Sequence, residues 1–389
     1  MKSIDQLSIR KQNLCRLWDV LFHQPGITRP ELSKQTRLSQ MTVGNLVDFL
    51  EKCHAVHIVS PSEGCTGVHG VGRRADLIYI DDRSHAFLEI DLTNICFRFC
   101  AYTLQMNRLL ASEPFVYNCG ASYLENLQRF LKGIRRTLDN RLEHRQIIGM
   151  VVIVPGPYNI LNDTVNNKRI PGINGLRIKS LLRACVGDYP CYVDEDVKLA
   201  VRAYIKPTQH ADNTLLYLLY IREGVGGAAI YNDTVLRGLN AVMGDAGQLS
   251  LPSGQSYESA LSLHAFARCL GIDAAENLDA DVLLQKIYAL ARANPALYAA
   301  EISKKALIVA QLFSNLVWLL DPTEIVIDCQ YAALAPKLFI DTIHDQLASL
   351  VGGGLPQLPR CTMSTLEPST VLTGAMQALV DLWFDSLLR

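Results

Sequence analysis

The chain has 389 residues, 49% of them hydrophobic and 19% charged, with a formal net charge of −1. That length and apolar content exclude a disordered chain or a peptide-scale scaffold and allow about two to three domains. The longest apolar runs, Ile147 to Val154 and Leu215 to Ile221, fall well short of the ~20 residues that a membrane helix needs.

The near-neutral total hides a split. Residues 1–75 carry 10 Lys+Arg against 6 Asp+Glu, and residues 76–389 carry 27 against 32. A basic head suited to a polyanion is therefore joined to an acidic body. Met1 to Arg10 has polar residues throughout and lacks the continuous apolar core of a secretory signal, which predicts a cytoplasmic protein without membrane attachment. The eleven cysteines include no Cys-x-x-Cys pair and read as small buried hydrophobes in a reducing compartment.

Ile9 to Val59 reads as a small helical bundle, opening with Leu14, Leu17, Trp18 and Leu21 at helical spacing. Thr28-Arg29-Pro30-Glu31 is a capping box with proline in the first turn, so a helix starts here and runs to about Thr36. A turn at Arg37-Leu38 leads to Ser39 as the next N-cap. Val43, Leu46, Val47 and Leu50 then form one apolar face, leaving Ser39, Gln40, Met41, Thr42 and Asn45 exposed. Arg37 stands where such turns often use glycine, which predicts a mildly strained or altered turn.

Two short helices joined by a turn, the second apolar behind and amide-rich in front, predict a helix-turn-helix whose second helix enters a major groove. Gln40 and Asn45 carry the donor and acceptor pair that can read an adenine edge. Ser39, Thr42 and the helix N-terminus suit phosphate oxygens, and Arg29 and Met41 complete the candidate contacts. The alternative is a three-helix bundle that only docks on the body. Val56 to Ser60 reads as a strand, and a β-wing fits the Pro61–Gly67 segment that follows. Arg73 and Arg74 then either enter a minor groove or solvate an interdomain linker.

From Asp76 onward the pattern turns to strands, twice. Ala86 to Asp91, Ile95 to Thr103 and Asn107 to Phe115 are β-rich, followed by a helix near Leu124 to Asn140 and a strand at Ile147 to Val154. Thr214 to Arg222, Gly226 to Tyr231 and Thr234 to Arg237 repeat the theme, with a helix at Lys304 to Leu320 and a strand at Glu324 to Asp328. This internal duplication predicts a bilobal α/β body with a cleft between lobes.

Glu223-Gly224-Val225-Gly226-Gly227-Ala228-Ala229-Ile230, Arg237-Gly238 and Met243-Gly244-Asp245-Ala246-Gly247-Gln248 resemble the signature of the ROK family of repressors and sugar kinases. Val154-Pro155-Gly156-Pro157, Val193-Asp194-Glu195-Asp196 and the run Leu320 to Ile327 fit family positions in order. Leu38-Ser39-x-x-Thr42-Val43 and Gly72-Arg73-Arg74 are similar to its repressor branch. The resemblance spans essentially the whole chain. It implies a winged helix-turn-helix (residues 1–75) followed by an actin-like, ribonuclease H-like body of sugar-kinase type. Lobe 1 would be residues 76–197 plus the C-terminal helix 369–389, and lobe 2, with dimerisation elements, residues 198–368.

Departures from the family pattern are specific. Family kinases use a glycine in the Asp-x-Gly phosphate turn, where this chain has Asp91-Leu92-Thr93-Asn94. They use a Gly-Gly pair after a later strand, where it has Asp328-Cys329-Gln330. Both losses argue against phosphoryl transfer, although Asp196 aligns with the catalytic base; its other reading is a carboxylate heading the helix 197–205. The family zinc site needs a histidine where Gln248 stands and cysteines in the next segment, Leu249 to Tyr257, which has none; no metal or other cofactor is expected.

The sugar-contact positions correspond to Glu195, Asp196, Asp245, Gln248 and Glu258, all able to hydrogen-bond. A sugar or sugar-phosphate effector is implied, with Lys168 or Arg169 available to offset a phosphate's charge. The scattered histidines form no His-Glu-x-x-His or Ser/His/Asp signature, and Val371 to Leu388 reads as a helix packed on the first lobe. These features imply a repressor of carbohydrate-metabolism genes, acting on an operator as a homodimer or homotetramer. A kinase with a DNA-binding appendage and a regulator answering to a protein partner are the alternatives.

Overall fold

The computed structural model describes residues 6–60, 75–94, 96–113, 115–167, 170–205, 214–272, 280–366 and 370–388; Arg73, Arg74, Lys168 and Arg169 lie outside them. The described chain is α/β and divides into two compact units. The first comprises Met1–Asp196, Lys206–His210 and Ala375–Arg389, and the second Val197–Ile205 and Ala211–Gly374.

The first unit begins with helices α1 (Gln6–His23), α2 (Arg29–Thr36) and α3 (Gln40–Lys52). Their apolar faces, including Leu14, Leu17, Leu21, Leu32, Val43, Leu46, Val47 and Leu50, are buried. The capping box at Thr28 and Glu31 is formed. Arg37 ends α2 in the left-handed region, at φ 58° and ψ 26°, so the turn is made without the glycine that would adopt it at no steric cost. Strand β1 (Val56–Val59) pairs antiparallel with β2 (Leu77–Ile80), Val56 facing Ile80 and Val59 facing Leu77. This two-stranded pairing fits the stem of the β-wing expected from the sequence; residues 61–74 lie outside the described residues. The second strand was not expected from the sequence, although Leu77-Ile78-Tyr79-Ile80 is a run of β-formers.

The same unit continues with β3 (His85–Asp91), β4 (Arg98–Tyr102), β5 (Arg108–Ala111), α4 (Tyr123–Arg141), β6 (Gln146–Val154), the ribbon β7 (Tyr158–Asn159) and β8 (Thr164–Val165), α5 (Ile178–Cys185) and β9 (Cys191–Glu195). Five strands form a sheet in the order β5-β4-β3-β6-β9, with β3, β6 and β9 parallel and the β3-β4-β5 meander antiparallel. Seven consecutive residues of β6, Ile148 to Val154, are buried, the pattern of a parallel strand covered on both faces. Leu127, Phe130, Leu131, Ile134 and Leu138 of α4 share one core cluster with Leu88, Ile90, Met150 and Val152.

Helix α6 (Asp196–Arg202) opens in the first unit and belongs from Val197 to the second. There follow β10 (Leu215–Ile221), β11 (Val225–Tyr231), β12 (Thr234–Val235), α7 (Tyr257–Leu261), α8 (Leu263–Cys269), α9 (Ala280–Ala293), α10 (Pro295–Leu320), β13 (Glu324–Cys329), α11 (Pro336–Val351) and β14 (Arg360–Met363). The sheet order β12-β11-β10-β13-β14 repeats that of the first unit, again with a meander on one side and parallel strands on the other. By length and composition alone α10 could cross a bilayer, but half of that apolar window is buried within the protein, where Ile302, Val309, Leu312 and Phe313 join the second unit's core.

The last helix, α12 (Thr370–Leu387), starts in the second unit and ends in the first. In the first unit it receives α1. Trp18 meets Trp383 and Phe384 edge-on at 6.0 and 5.8 Å between centroids, and Lys11 pairs with Asp385 at 2.8 Å.

Candidate nucleic-acid interface and effector-site residues

The outward face of α3 follows from its buried one. With positions 43, 46, 47 and 50 turned inward, positions 40, 41, 44, 45 and 48 fall together on the opposite side. Gln40, Met41, Asn45 and Asp48 are exposed there, and Met41 is 79% accessible, unusual for a large apolar side chain. Ser39 caps the helix by accepting from Thr42 N (3.1 Å). Thr42 is half-buried, contrary to the exposure expected from the sequence, and its hydroxyl is hydrogen-bonded to that of Ser39 at 2.8 Å. Arg29 is likewise engaged, donating to Asp48 at 2.6 Å. The pair cancels the one negative charge among the face's four exposed side chains, so Arg29 acts there as a neutraliser before it can act as a phosphate ligand.

At the end of β9 in the first unit, Glu195 is buried and turned inward. Its Oε1 accepts from Tyr158 N at 3.0 Å, and a Cβ at Gly156 would lie 2.5 Å from Oε2, so the Pro155-Gly156-Pro157 turn closes directly on this carboxylate. Asn167 supports the turn, donating to Gly156 O at 2.7 Å. Asp196, partly exposed, is the first residue of α6. At the end of β3, Asp91 Oδ1 accepts from both the amide (2.9 Å) and the hydroxyl (2.6 Å) of Thr93. A side chain thus takes up the amide that a glycine turn would leave open to a phosphate.

In the second unit the glycine signature is a close backbone approach. A Cβ on Gly227 would lie 1.9 Å from Tyr217 Oη and 2.2 Å from Gly244 O, and one on Gly247 would lie 1.9 Å from Val225 O. The hairpin of β10 and β11 therefore lies directly on the 241–248 turn, with Tyr217 donating to Gly244 O at 2.8 Å. Lys198, fully buried, ties α6 to the same turn by donating to Met243 O at 2.7 Å.

This packing sets out the remaining expected positions. Asp245 is half-buried and Gln248 exposed, on either side of a single helical turn. Glu258 lies on α7, whose Ala260 carbonyl is held by buried Lys305 at 2.7 Å. The segment 249–257, where the family resemblance would place metal ligands, carries hydrogen bonds within its own backbone. Leu251 N donates to Gln255 O (2.7 Å) and Tyr257 N to Leu249 O (2.9 Å).

One cluster was not singled out from the sequence. At the ends of the parallel strands β10 and β13, Arg222 donates to Asp328 Oδ1 at 2.6 Å and lies over the Tyr220 ring at 4.4 Å. The other oxygen, Oδ2, accepts from Thr370 at 2.6 Å. Beyond it, where a glycine pair would leave the backbone open, Tyr331 is buried and stacked on Phe266 at 4.2 Å. Cys329 is sealed in as well, its thiol pushed up to about 12 by burial. The only sequence signal was an arginine and an aspartate each ending an apolar strand.

A family model described as "ROK family" matches residues 122–381. A xylose repressor from Staphylococcus xylosus is 22% identical over 247 residues, 62% of this chain and 61% of the repressor, so the match spans about three fifths of that relative's length. Among solved structures, a ROK family transcriptional regulator described as a homologue of the Escherichia coli MLC protein superposes with TM-score 0.67. It has 17% identity, over 98% of this chain and 99% of that one. A ROK family glucokinase from Streptomyces griseus, in complex with glucose and AMPPNP, gives TM-score 0.58 and 14% identity over 75% of this chain and 98% of that one.

Proposed function

The chain belongs to the ROK family, and we propose that it is a DNA-binding transcriptional repressor of carbohydrate-metabolism genes, relieved by a sugar or sugar-phosphate effector. The observation that carries this reading is the outward face of α3. A helix capped by Ser39 presents Gln40, Met41 and Asn45 to solvent, beside a two-stranded wing stem and on a head of net positive charge. Gln and Asn in that position match the adenine edge, and Met41 matches a thymine methyl. The match to a regulator over nearly the full chain, head included, supports the same reading.

A regulator rather than a kinase is favoured by both nucleotide-side turns. The Asp91 turn is closed on Thr93, and the end of β13 carries the Arg222–Asp328 pair and packed Tyr331 in place of an open backbone. Asp245, Gln248 and Glu258 in the second unit, and Asp196 in the first, are the residues proposed to hold the effector's hydroxyls. Glu195, also proposed for the effector site, is buried in the first unit against the Pro155-Gly156-Pro157 turn. The protein is proposed to act without a metal, in the cytoplasm, as a homodimer or homotetramer on paired half-sites. An effector relieves repression only by binding one conformational state more tightly than the other.

The test is a duplex selected by the full chain, titrated in the presence of a panel of sugars and sugar phosphates, with ATP turnover measured in parallel. Release by one compound without ATP turnover is the expected result. Sugar-dependent ATP turnover would move the kinase reading to the front, and specific binding that no compound alters would point to a protein partner.

A further inference from the structure

Gly44 sits in the middle of α3, half-buried, on the side of the helix that carries the exposed positions 40, 41, 45 and 48. Glycine in a helix interior is destabilising relative to alanine, and it is retained where a turn, a positive φ or a crowded neighbour requires it. None of these applies here. Gly44 is helical and absent from the positive-φ positions, and a Cβ built on it meets nothing within 4 Å. By contrast, Gly227, Gly247 and Gly374 each face a backbone oxygen within 2.2 Å of the Cβ position. Gly133 in α4 is likewise helical with an open Cβ position; what sets Gly44 apart is that it lies among the residues proposed to face DNA.

We propose that Gly44 is a specificity-determining position at which the α3 backbone seats directly against a thymine methyl group on the floor of the major groove. Without a Cβ, the helix approaches the bases more closely than its neighbours alone would permit. Met41, one turn before and exposed, offers a second apolar surface to the same methyl group. Asp48, one turn after, can come as close because Arg29 neutralises it at 2.6 Å. The inference rests on the DNA-binding reading and adds to it a contact that carries no hydrogen bond.

The experiment uses Gly44→Ala in the full chain, with a duplex selected by the wild-type chain from a randomised library. Thermal unfolding is expected to rise for Gly44→Ala, since alanine is the better helix former and nothing obstructs its methyl. Affinity for the selected duplex is expected to fall at least about tenfold, with binding to random duplex unchanged. Replacing the selected thymines one at a time by uracil should weaken wild-type binding at one position and leave Gly44→Ala unaffected there. Unchanged affinity of Gly44→Ala for the selected duplex would overturn the inference while leaving the DNA reading intact, as would an equal loss on random duplex. Failure of the wild-type chain to select any duplex would overturn the DNA reading itself and the inference with it.

Discussion

Arg222→Met removes the cation from the cluster at the ends of β10 and β13 while keeping much of the side chain's apolar length. Asp328 is then left with Thr370 as the partner of one oxygen and its charge uncompensated, at a side-chain exposure of 11%. Breaking a buried pair in this way costs about 3–5 kcal/mol, against a typical total of about 5–15 kcal/mol. A stability change of 1 kcal/mol moves Tm by about 2–4 °C in a domain of this size, so Arg222→Met should lower Tm by roughly 6–20 °C in a calorimetric scan. Replacing both partners, in Arg222→Met/Asp328→Leu, removes the stranded charge and should recover most of the loss. The coupling between the two sites should reach at least about 2 kcal/mol. A drop below about 2 °C in the single variant, or simple addition of the two single losses in the double, would refute the argument that this pair closes the site.

Three further outcomes follow from other parts of the molecule. Gly227→Ala should destabilise by at least about 1–3 kcal/mol, and Tyr217→Phe should not rescue it because Gly244 O, a backbone atom, remains 2.2 Å from the new methyl; denaturant unfolding of both variants checks this. Burial holds the Glu89 carboxyl up at about 7 despite the hydrogen bond that Tyr102 donates to it. The stability tied to its neutral form is full below the unfolded carboxyl's pKa and lost as pH rises through about 7. The Tm of Glu89→Gln should accordingly gain on the wild type between pH 5 and pH 8, and parallel curves would contradict this. Asn45→Ala should cost about 1–3 kcal/mol on a selected duplex and nothing on random duplex, measured by fluorescence anisotropy; equal losses would remove its base-reading role.

Much of the head was legible because its signals are local. The capping box, the Ser39 cap and the 43-46-47-50 spacing each fix a backbone state within a few residues. The duplicated body was visible in its strand runs, but its pairing was not. Strands β2, β9 and β14 are short and take their meaning from partners far along the chain, which no periodicity reports. Among the candidate residues, exposure was the weakest inference. Thr42 was expected exposed and is half-buried, and the partners of Arg29 and Glu195, which are Asp48 and the Tyr158 amide, are a matter of tertiary geometry. The glycines divide the same way. Sequence marks Gly227 and Gly247 as a signature and passes over Gly44, yet only the structure separates glycines that face a close neighbour from those, Gly44 among them, that face open space.

The measurement closest to the central claim is selection of a duplex from a randomised library by the full chain at physiological salt. The expected result is a single enriched sequence with two-fold related half-sites, bound at least about a thousandfold more tightly than random duplex and weakened by Gln40→Ala and Asn45→Ala. No enrichment, or equal affinity for selected and random duplex, would contradict it.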